Sequence, residues 1–329
     1  VTLLAQHKKG FNFETDELTN HIEVGKDGEF VYENNKLKIL KKGHRSLLIE
    51  KMAAHKLSRL PSSPTLGLGV TAACASTGLP AVRSSNGKQN GVDLLIGEQK
   101  DSEAEKNRLI SRETTFKLVA REWANERLKH WLGEAIENYD YQFPFDLDKL
   151  GRIKGEESYY AVVHADGNHM GDHVKKATAN TTDNRKWIKK LREFSKIIHE
   201  ANLNALQRVV SLLADTLTPD GDIPYTTENG VDYLPFRPLV FGGDDLTFVC
   251  NGKISVSLAT MYIEEFHKAA EVLELNDLYA SAGVAMVKMH YPFARAYKLS
   301  EELIQSAKSL NRDPKPDCSA IDWHFAQSG

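Results

Sequence analysis

The sequence predicts an α+β fold for residues 156–329, in which an antiparallel sheet carries helices on one face. The first observation is that short apolar runs with strand-like patterns are separated by segments whose apolar residues recur every three or four positions. The second is a Gly-Gly-Asp-Asp segment at 242–245 between two apolar runs, because a glycine pair permits the positive φ of a tight hairpin turn. The resulting order, strand–helix–helix–strand–strand–helix–strand, is that of the split βαβ or ferredoxin-like arrangement.

Each element of this domain has its own signal. An unbroken apolar run predicts the first strand at 158–165, and apolar residues at helical spacing, among them Ile198 and Val209, predict a helix at 187–215. The Pro-, Gly- and Asp-rich segment 216–236 is predicted to be a loop. The same patterns predict the remaining elements, which are a hairpin at 238–250, a helix at 254–274, a strand at 279–287, a helix at 294–310 and a short strand at 319–323.

Residues 1–155 are predicted to form a smaller mixed α/β region. Alternating polar and apolar residues at 21–40, around Asp27-Gly28, predict a hairpin, and helical spacing predicts a helix at 44–60. Residues 61–91 are rich in Gly, Ser and Thr and are predicted to be a long irregular loop. One or two helices are predicted within 102–139 from an apolar stripe that comprises Phe116, Val119, Trp123, Leu128, Trp131 and Leu132.

Composition excludes several classes of protein. With 329 residues, 41% hydrophobic and 26% charged, the chain is expected to be soluble, globular and long enough for two domains. No apolar run approaches the roughly 18 residues of a membrane span, so no membrane partner is expected. The formal net charge of −3 gives no support for general nucleic-acid binding. The three cysteines, Cys74, Cys250 and Cys318, are far apart, which argues against a disulfide framework or a zinc site and favours a reducing cytoplasm.

Acidic side chains follow two of the predicted strands. Asp244 and Asp245 lie at the tip of the predicted hairpin, where adjacent like charges repel each other unless a cation is bound. Asp166 ends the strand at 158–165 and is followed by Gly167. Because Mg²⁺ prefers carboxylate and phosphate oxygens, the pattern predicts that the three aspartates bind Mg²⁺ or Mn²⁺ together with a nucleoside triphosphate. In a two-metal site of this kind, the ions activate an attacking hydroxyl and stabilise the leaving group, so these aspartates are also the predicted catalytic residues.

Five segments, taken in order, carry a family resemblance. They are ADGNHMG at 165–171, FGGDDL at 241–246, SAGVA at 281–285, SAK at 306–308 and AIDWH at 320–324. Together they resemble the palm of the large subunit of type III CRISPR effector complexes (Csm and Cmr), which is related to GGDEF cyclases. The resemblance covers 157–325, and five segments in register are far more specific than the Gly-Gly-Asp-Asp segment alone.

The resemblance implies a palm that joins ATP into cyclic oligoadenylates, second messengers of antiviral defence. It implies that Asp166 and Asp244 are metal ligands, that Asp245 is a ligand or an acid–base partner, and that Lys308 faces the triphosphate. The nucleotide-binding residues implied in this way are Gly167, Asn168, Gly242, Gly243, Ser281, Gly283 and Lys308. Other effector subunits, guide or target RNA and a second palm are the implied partners.

The chain departs from the family pattern at several points. The family often has Asp where this chain has Asn168, so one metal ligand is reduced to a carbonyl donor, or the residue simply forms an Asx-turn. No amino-terminal HD nuclease motif is present, and only Cys74 matches the family's zinc element. Two alternatives therefore stay open: a stand-alone dinucleotide cyclase or minimal polymerase, and a catalytically inactive nucleotide-binding scaffold. The purely structural interpretations are a solvated turn for Asp244 and Asp245 and a solvated side chain for Lys308.

Overall fold

The computed structural model describes residues 32–33, 36–37, 56, 58, 72–85, 88–89, 92–93, 108–137, 139–151, 158–181, 183–217, 223, 225–311 and 318–326. The chain divides into two compact units, one comprising 1–63 with 169–196 and the other 64–168 with 197–329. The boundary near residue 155 predicted from the sequence stays a prediction. Among the described residues, none of the helices combines the length and the apolar character that crossing a membrane requires.

The described strands before residue 150 have two residues each, and those after it are longer. The strands are β1 (Tyr32–Glu33), β2 (Lys36–Leu37), β3 (Arg83–Ser84), β4 (Lys88–Gln89), β5 (Val92–Asp93), β6 (Leu109–Ile110), β7 (Tyr141–Gln142), β8 (Tyr159–Gly167), β9 (Thr226–Glu228), β10 (Val231–Tyr233), β11 (Phe236–Gly242), β12 (Asp245–Asn251), β13 (Ala280–Lys288) and β14 (Ala320–Phe325). The α-helices are α1 (Arg112–Leu132), α2 (Met170–Ala177), α3 (Asn184–Thr216), α4 (Ser255–Val272) and α5 (Phe293–Lys308).

The first unit contains the antiparallel pair β1–β2 and helix α2. Tyr32 pairs with Leu37 in this two-stranded ribbon. The predicted turn at Asp27-Gly28 lies outside the described residues, as does most of the helix predicted at 44–60. On α2, the Lys175 ammonium donates to Asp172 at 2.7 Å, an exposed pair three residues apart that contributes little to stability.

A five-stranded sheet forms the centre of the second unit. Its strand order is β11–β12–β8–β13–β14, and every neighbouring pair is antiparallel except β13–β14, which is parallel. Strand β8 therefore lies in the middle, hydrogen-bonded to β12 on one side and to β13 on the other. Its run from Tyr160 to Val163 is fully buried, which explains why the sequence there is continuously apolar. The predicted α+β fold class and the order of its elements are confirmed.

Both faces of the sheet are covered. Successive residues of a strand point to opposite faces, and Tyr160 and Val162 share a buried cluster with Ala296 of α5. The residues of the other face, Ala161 and Val163, are equally buried, and α4 also contacts β8 and β13. Helix α5 covers one face, and the opposite face is buried as well.

Gly283 determines how closely α5 approaches the sheet. A Cβ atom built at this position would lie 2.3 Å from the Ser300 carbonyl oxygen and 2.4 Å from the Ile304 backbone nitrogen. These are backbone atoms of α5, so a side chain at 283 cannot be accommodated by a change of rotamer. The glycine therefore lets the helix rest directly on β13, and the last residue of α5, Lys308, reaches the end of β8.

Two segments predicted to be loops contain β-structure. Within 216–236, β9 and β10 form a hairpin whose turn, Asn229-Gly230, has φ of 51° and 78°, the positive values of a type I′ turn. Within 61–91, Ala73 bridges to Pro80 and β3 pairs with β6. The loop predictions are wrong for these parts, because short strands carry too few residues to show a periodic pattern.

Helix α1 confirms the helix predicted within 102–139 but uses only part of its apolar stripe. It begins after Ser111, whose hydroxyl accepts a hydrogen bond from the Thr114 N–H at 3.3 Å, a regular N-cap. Three members of the stripe, Val119, Leu128 and Leu132, are buried. Two members are exposed, Phe116 at 56% and Trp123 at 70%.

We expect Gly283→Ala to destabilise the second unit by about 1–3 kcal/mol or more, since the added methyl group meets helix backbone. Gly133→Ala is the matched control: a Cβ there has nothing within 4 Å and φ is −59°, so the change should be within about 0.5 kcal/mol. Urea unfolding of both variants measures the difference. Equal midpoints for the two variants would show that α5 does not rest on Gly283 as described.

Candidate active site

A two-residue turn presents the first acidic side chain. Gly242 pairs with Asp245 at the end of the β11–β12 ladder, which leaves Gly243 and Asp244 as the turn. Gly243 has φ of 64°, the positive value that a type II′ turn requires at its first central position. The glycine thus permits a tight reversal, and Asp244 stands at the tip of the hairpin.

The carboxyl group of Asp244 meets that of Asp166 from the neighbouring strand. Burial, together with a hydrogen bond to Asp166 and repulsion by its charge, raises the pKa of Asp244 from 3.8 to about 6, against the opposing effect of Lys308. Strand β12 pairs with β8 up to Leu246 opposite Ala165, so the turn and the end of β8 are adjacent. The structure therefore brings together the two acids that the sequence placed at separate strand ends.

Lys308 lies on the other side of Asp166. Its ammonium group donates to Asp166 Oδ2 at 2.5 Å and to the Gly167 carbonyl at 3.0 Å. Serine 281, on β13, pairs with Asp166 across the sheet. The Lys308 ammonium group reaches the end of β8 from the last turn of α5. The candidate site therefore combines two carboxylates with one positively charged side chain.

Asp245 makes a different contact from its neighbour. Its Oδ1 atom lies 3.1 Å from His164 Nε2, and the His164 ring stacks on Tyr297 with a centroid separation of 5.9 Å. His164 is mostly buried, and its Nδ1 atom is buried without a hydrogen-bond partner in the described part of the chain. Asp245 is thus held by an imidazole, whereas the contact with Asp166 is made by Asp244.

Two residues that sequence analysis did not single out hold the turn through hydrogen bonds. The side-chain amide of Asn202, on α3, donates to the Gly243 carbonyl at 3.0 Å and to the Asp245 carbonyl at 3.1 Å. The Tyr262 hydroxyl, on α4, donates to Asn202 Oδ1 at 3.2 Å. Burial, and then the charges of Asp244, Asp245 and Asp166, hold the Tyr262 pKa well above its usual range. A signal was present in the sequence: Asn202 is a polar residue on the apolar face of a long helix.

Three of the predicted nucleotide-binding residues make contacts within the fold. Asn168 is buried; its amide donates to the Cys318 carbonyl at 2.9 Å, and its Oδ1 accepts from the buried Ser281 hydroxyl at 2.9 Å. The backbone N–H of Asn168 donates to the Tyr279 carbonyl. Gly283 is covered by α5. All of these groups are engaged within the fold, and a nucleotide contact of Asn168, Ser281 or Gly283 stays a prediction.

The remaining predicted residues border open space. A Cβ atom at Gly242 or Gly243 would have nothing within 4 Å, so the backbone of the hairpin is accessible to a ligand. Among the described residues, no group of three or more His, Cys, Asp or Glu side chains is arranged to bind a metal ion. The Asp166–Asp244 pair nevertheless fits Mg²⁺ or Mn²⁺, because Mg²⁺ is usually held by one or two carboxylates while substrate phosphates and water complete its coordination.

Residues 159–314 match the family model described as Cas10/Cmr2, second palm domain. This part of the chain is therefore similar to the second palm domain of Cas10/Cmr2 proteins. The matched palm includes Asp166, Asp244, Asp245 and Lys308, and the family predicted from the five sequence segments is confirmed. No curated protein sequence matches the chain.

Solved structures that resemble the chain belong to the Csm1 protein. Csm1 from T. onnurineus is 14% identical, with a TM-score of 0.36, 51% of this chain covered and 22% of that one. The Csm1–Csm4 cassette in complex with cA4 is 14% identical, with a TM-score of 0.35 and coverage of 50% and 21%. The Csm1–Csm4 subcomplex of the type III-A CRISPR-Csm interference complex is 15% identical, with a TM-score of 0.35 and coverage of 51% and 21%. The chain spans about a fifth of the length of these proteins.

Removing one carboxylate charge from the palm should stabilise it at neutral pH. Because the folded state keeps the Asp244 proton to a higher pH than the unfolded chain, stability falls as pH rises from about 4 to about 6. We expect Asp244→Asn to raise Tm at pH 8 by about 2–4 °C, as for a relief of about 1 kcal/mol after allowance for solvent screening. The gain should disappear at pH 4, where both forms are neutral. An unchanged or lower Tm at pH 8 would contradict the repulsion between Asp166 and Asp244.

Proposed function

We propose that the palm domain is a metal-dependent nucleotidyltransferase that joins ATP into cyclic oligoadenylates in type III CRISPR antiviral defence. One observation carries the proposal: the carboxylates of Asp166 and Asp244 converge beside Lys308 at the end of the central strand. A fold selected for stability alone gains nothing from two adjacent acids, one of which has its pKa raised by the other. The match to the second palm domain of the Cas10/Cmr2 family supports the same conclusion.

Asp166 and Asp244 are the proposed metal ligands. Bound Mg²⁺ or Mn²⁺ would lower the pKa of the attacking 3′-hydroxyl and neutralise charge that develops on the α-phosphate and the leaving pyrophosphate. The accessible backbone at Gly242 and Gly243 leaves room for the base or phosphates of ATP beside the turn. Asp245, paired with His164, is the proposed acid–base partner, since an imidazole beside a carboxylate provides a route for a proton.

Lys308 has two proposed roles in succession. Without a nucleotide it neutralises part of the charge on Asp166. An ammonium group on a flexible stem can also turn toward a triphosphate, for which it acts as a point charge.

Other CRISPR effector subunits, guide or target RNA and a second palm remain proposed partners. Residues 1–155 remain a proposed separate region.

The direct test is the formation of oligonucleotides from ATP and Mn²⁺, with and without activating RNA, analysed by mass spectrometry. Asp166→Asn and Asp244→Asn should each reduce product by more than about 100-fold, the upper end of what outer partners of a metal site cost. Asp232→Asn, on β10, is the control and should leave the yield unchanged. Absence of any product from the wild type under both conditions would contradict the proposal. Product mass also separates a dinucleotide cyclase from an enzyme that makes longer rings.

A second comparison tests Lys308. We expect Lys308→Met to raise KM for ATP about tenfold, the value of a charged hydrogen bond of about 1.5 kcal/mol. Lys298→Met removes a charge from the same helix at an exposed position, 3.8 Å from Glu302, and should leave KM unchanged. The same KM in both variants would exclude a triphosphate contact for Lys308.

One observation favours the inactive scaffold as a second candidate function. Asn168 stands where the family often has a carboxylate, and its amide oxygen accepts a hydrogen bond from Ser281, so this position offers a metal a neutral oxygen in place of a charged ligand. A scaffold palm would bind ATP in calorimetry without releasing pyrophosphate. Sustained pyrophosphate release by the wild type, lost in Asp244→Asn, would exclude this candidate.

A further inference from the structure

We propose that Asn202 is a positioning residue, which orients Asp244 by holding the two backbone carbonyls on either side of it. The assignment rests on the proposed function, since it concerns how the metal-binding acid is aimed. Asn202 lies on α3 and is 1% exposed, so no ligand can reach it. Any effect that it has on the site must therefore pass through the backbone of the turn.

The geometry of the contact makes this coupling direct. The Asn202 amide nitrogen donates to the carbonyl of Gly243 at 3.0 Å and to that of Asp245 at 3.1 Å. Asp244 and Asp245 lie between these two carbonyls along the chain, so holding both carbonyls restricts the backbone of the turn and with it the direction of the Asp244 Cα–Cβ bond. That direction decides whether its carboxyl group meets Asp166.

Strand pairing holds the turn on one side only. Gly242 pairs with Asp245 in the β11–β12 ladder, whereas the ladder between β12 and β8 ends at Leu246. Gly243, which has no side chain, adds no packing of its own. The Asn202 amide therefore supplies a second support, because one side chain satisfies two carbonyls of the turn.

Asparagine suits the task better than other side chains. Its planar amide offers two N–H donors to two carbonyls while its oxygen accepts a hydrogen bond. The Tyr262 hydroxyl donates to that oxygen at 3.2 Å and thereby fixes which end of the amide faces the turn. Aspartate would place only acceptors against carbonyl oxygens. Tyr262 is 1% exposed, and its part is to orient Asn202.

The chain provides a matched control at the other end of β12. Asn251 is also buried, and its amide nitrogen donates to the carbonyls of Leu150 and Gly151, both at 3.0 Å. Asn202→Ala and Asn251→Ala thus each remove an amide that bridges two carbonyls. Only Asn202 bridges carbonyls of the Gly-Gly-Asp-Asp turn. A difference between the two variants at the acidic pair therefore reports positioning, whereas a general loss of stability affects both.

The experiment measures Mn²⁺ binding by calorimetry in the full chain, with thermal unfolding to confirm that each variant is folded. We expect Asn202→Ala to raise the Kd for Mn²⁺ by about 10-fold or more and Tyr262→Phe, which keeps the ring and is the milder change, to raise it less. Asn251→Ala should leave the Kd within about twofold. A folded Asn202→Ala that binds Mn²⁺ as tightly as Asn251→Ala would overturn the proposal; if Asn202→Ala does not fold, Tyr262→Phe against Asn251→Ala decides in the same way.

Hydrogen exchange of residues 239–249 separates this proposal from the proposed function. If the wild type binds no Mn²⁺, the proposed function fails, and exchange alone decides on Asn202. Faster exchange of this segment in Asn202→Ala or Tyr262→Phe than in Asn251→Ala supports the clamp on the turn. Equal exchange in all three variants overturns it, whatever the metal affinity of the wild type.

Discussion

Two carboxylates, Asp166 and Asp244, are held near enough for one to raise the pKa of the other. In water such side chains would move apart, because a like charge and the loss of hydration both disfavour the ionised form. The fold keeps them together with strand pairing on one side and a turn of fixed shape on the other. Lys308 offsets part of the repulsion by its contact with Asp166. The packing thus holds the two carboxylates together against their mutual repulsion, as is common at functional sites.

Three elements of the second unit supply that packing. Strand β8 is buried along most of its length and is hydrogen-bonded to a neighbouring strand on each side. The β11–β12 hairpin carries Asp244, and α3 holds its turn through Asn202. Helix α5 lies on β13 and ends at Lys308. The site is therefore built mainly on the rigid parts of the domain, which suits a reaction that depends on the placement of charges.

Much of this arrangement could be predicted from the sequence. The alternation of apolar runs predicted the order of the strands and helices, and the Gly-Gly-Asp-Asp segment predicted both the hairpin and its acids. That Asp166 and Asp244 meet followed from a single further step, because acids that end neighbouring strands lie at the same edge of a sheet. The Asn229-Gly230 turn also had a readable signal, since this dipeptide is typical of a two-residue hairpin.

The rest depended on information that one sequence does not contain. A glycine within a strand indicates that a ligand or another element approaches the backbone closely. The sequence does not distinguish these two cases at Gly283, whereas the structure shows that the approaching element is α5. Asn168 follows the predicted metal ligand Asp166 closely, yet its partners are the carbonyl of Cys318 and the hydroxyl of Ser281, far away along the chain. The contact between Asn202 and the turn likewise joins distant segments. Side-chain partners of this kind are decided by tertiary packing and not by local pattern.

The direct contact between α5 and Gly283 has a consequence for genetics. A larger residue at 283 would lift the helix from the sheet and withdraw its terminal ammonium group from Asp166, although position 283 itself is screened from any ligand. A selection for loss of the proposed activity would therefore recover substitutions at this buried glycine beside those at the acids. Protein abundance in the cell would distinguish the two classes of substitution. It should fall for substitutions at Gly283, which disturb packing, and stay unchanged for substitutions at the acids, which remove a charge.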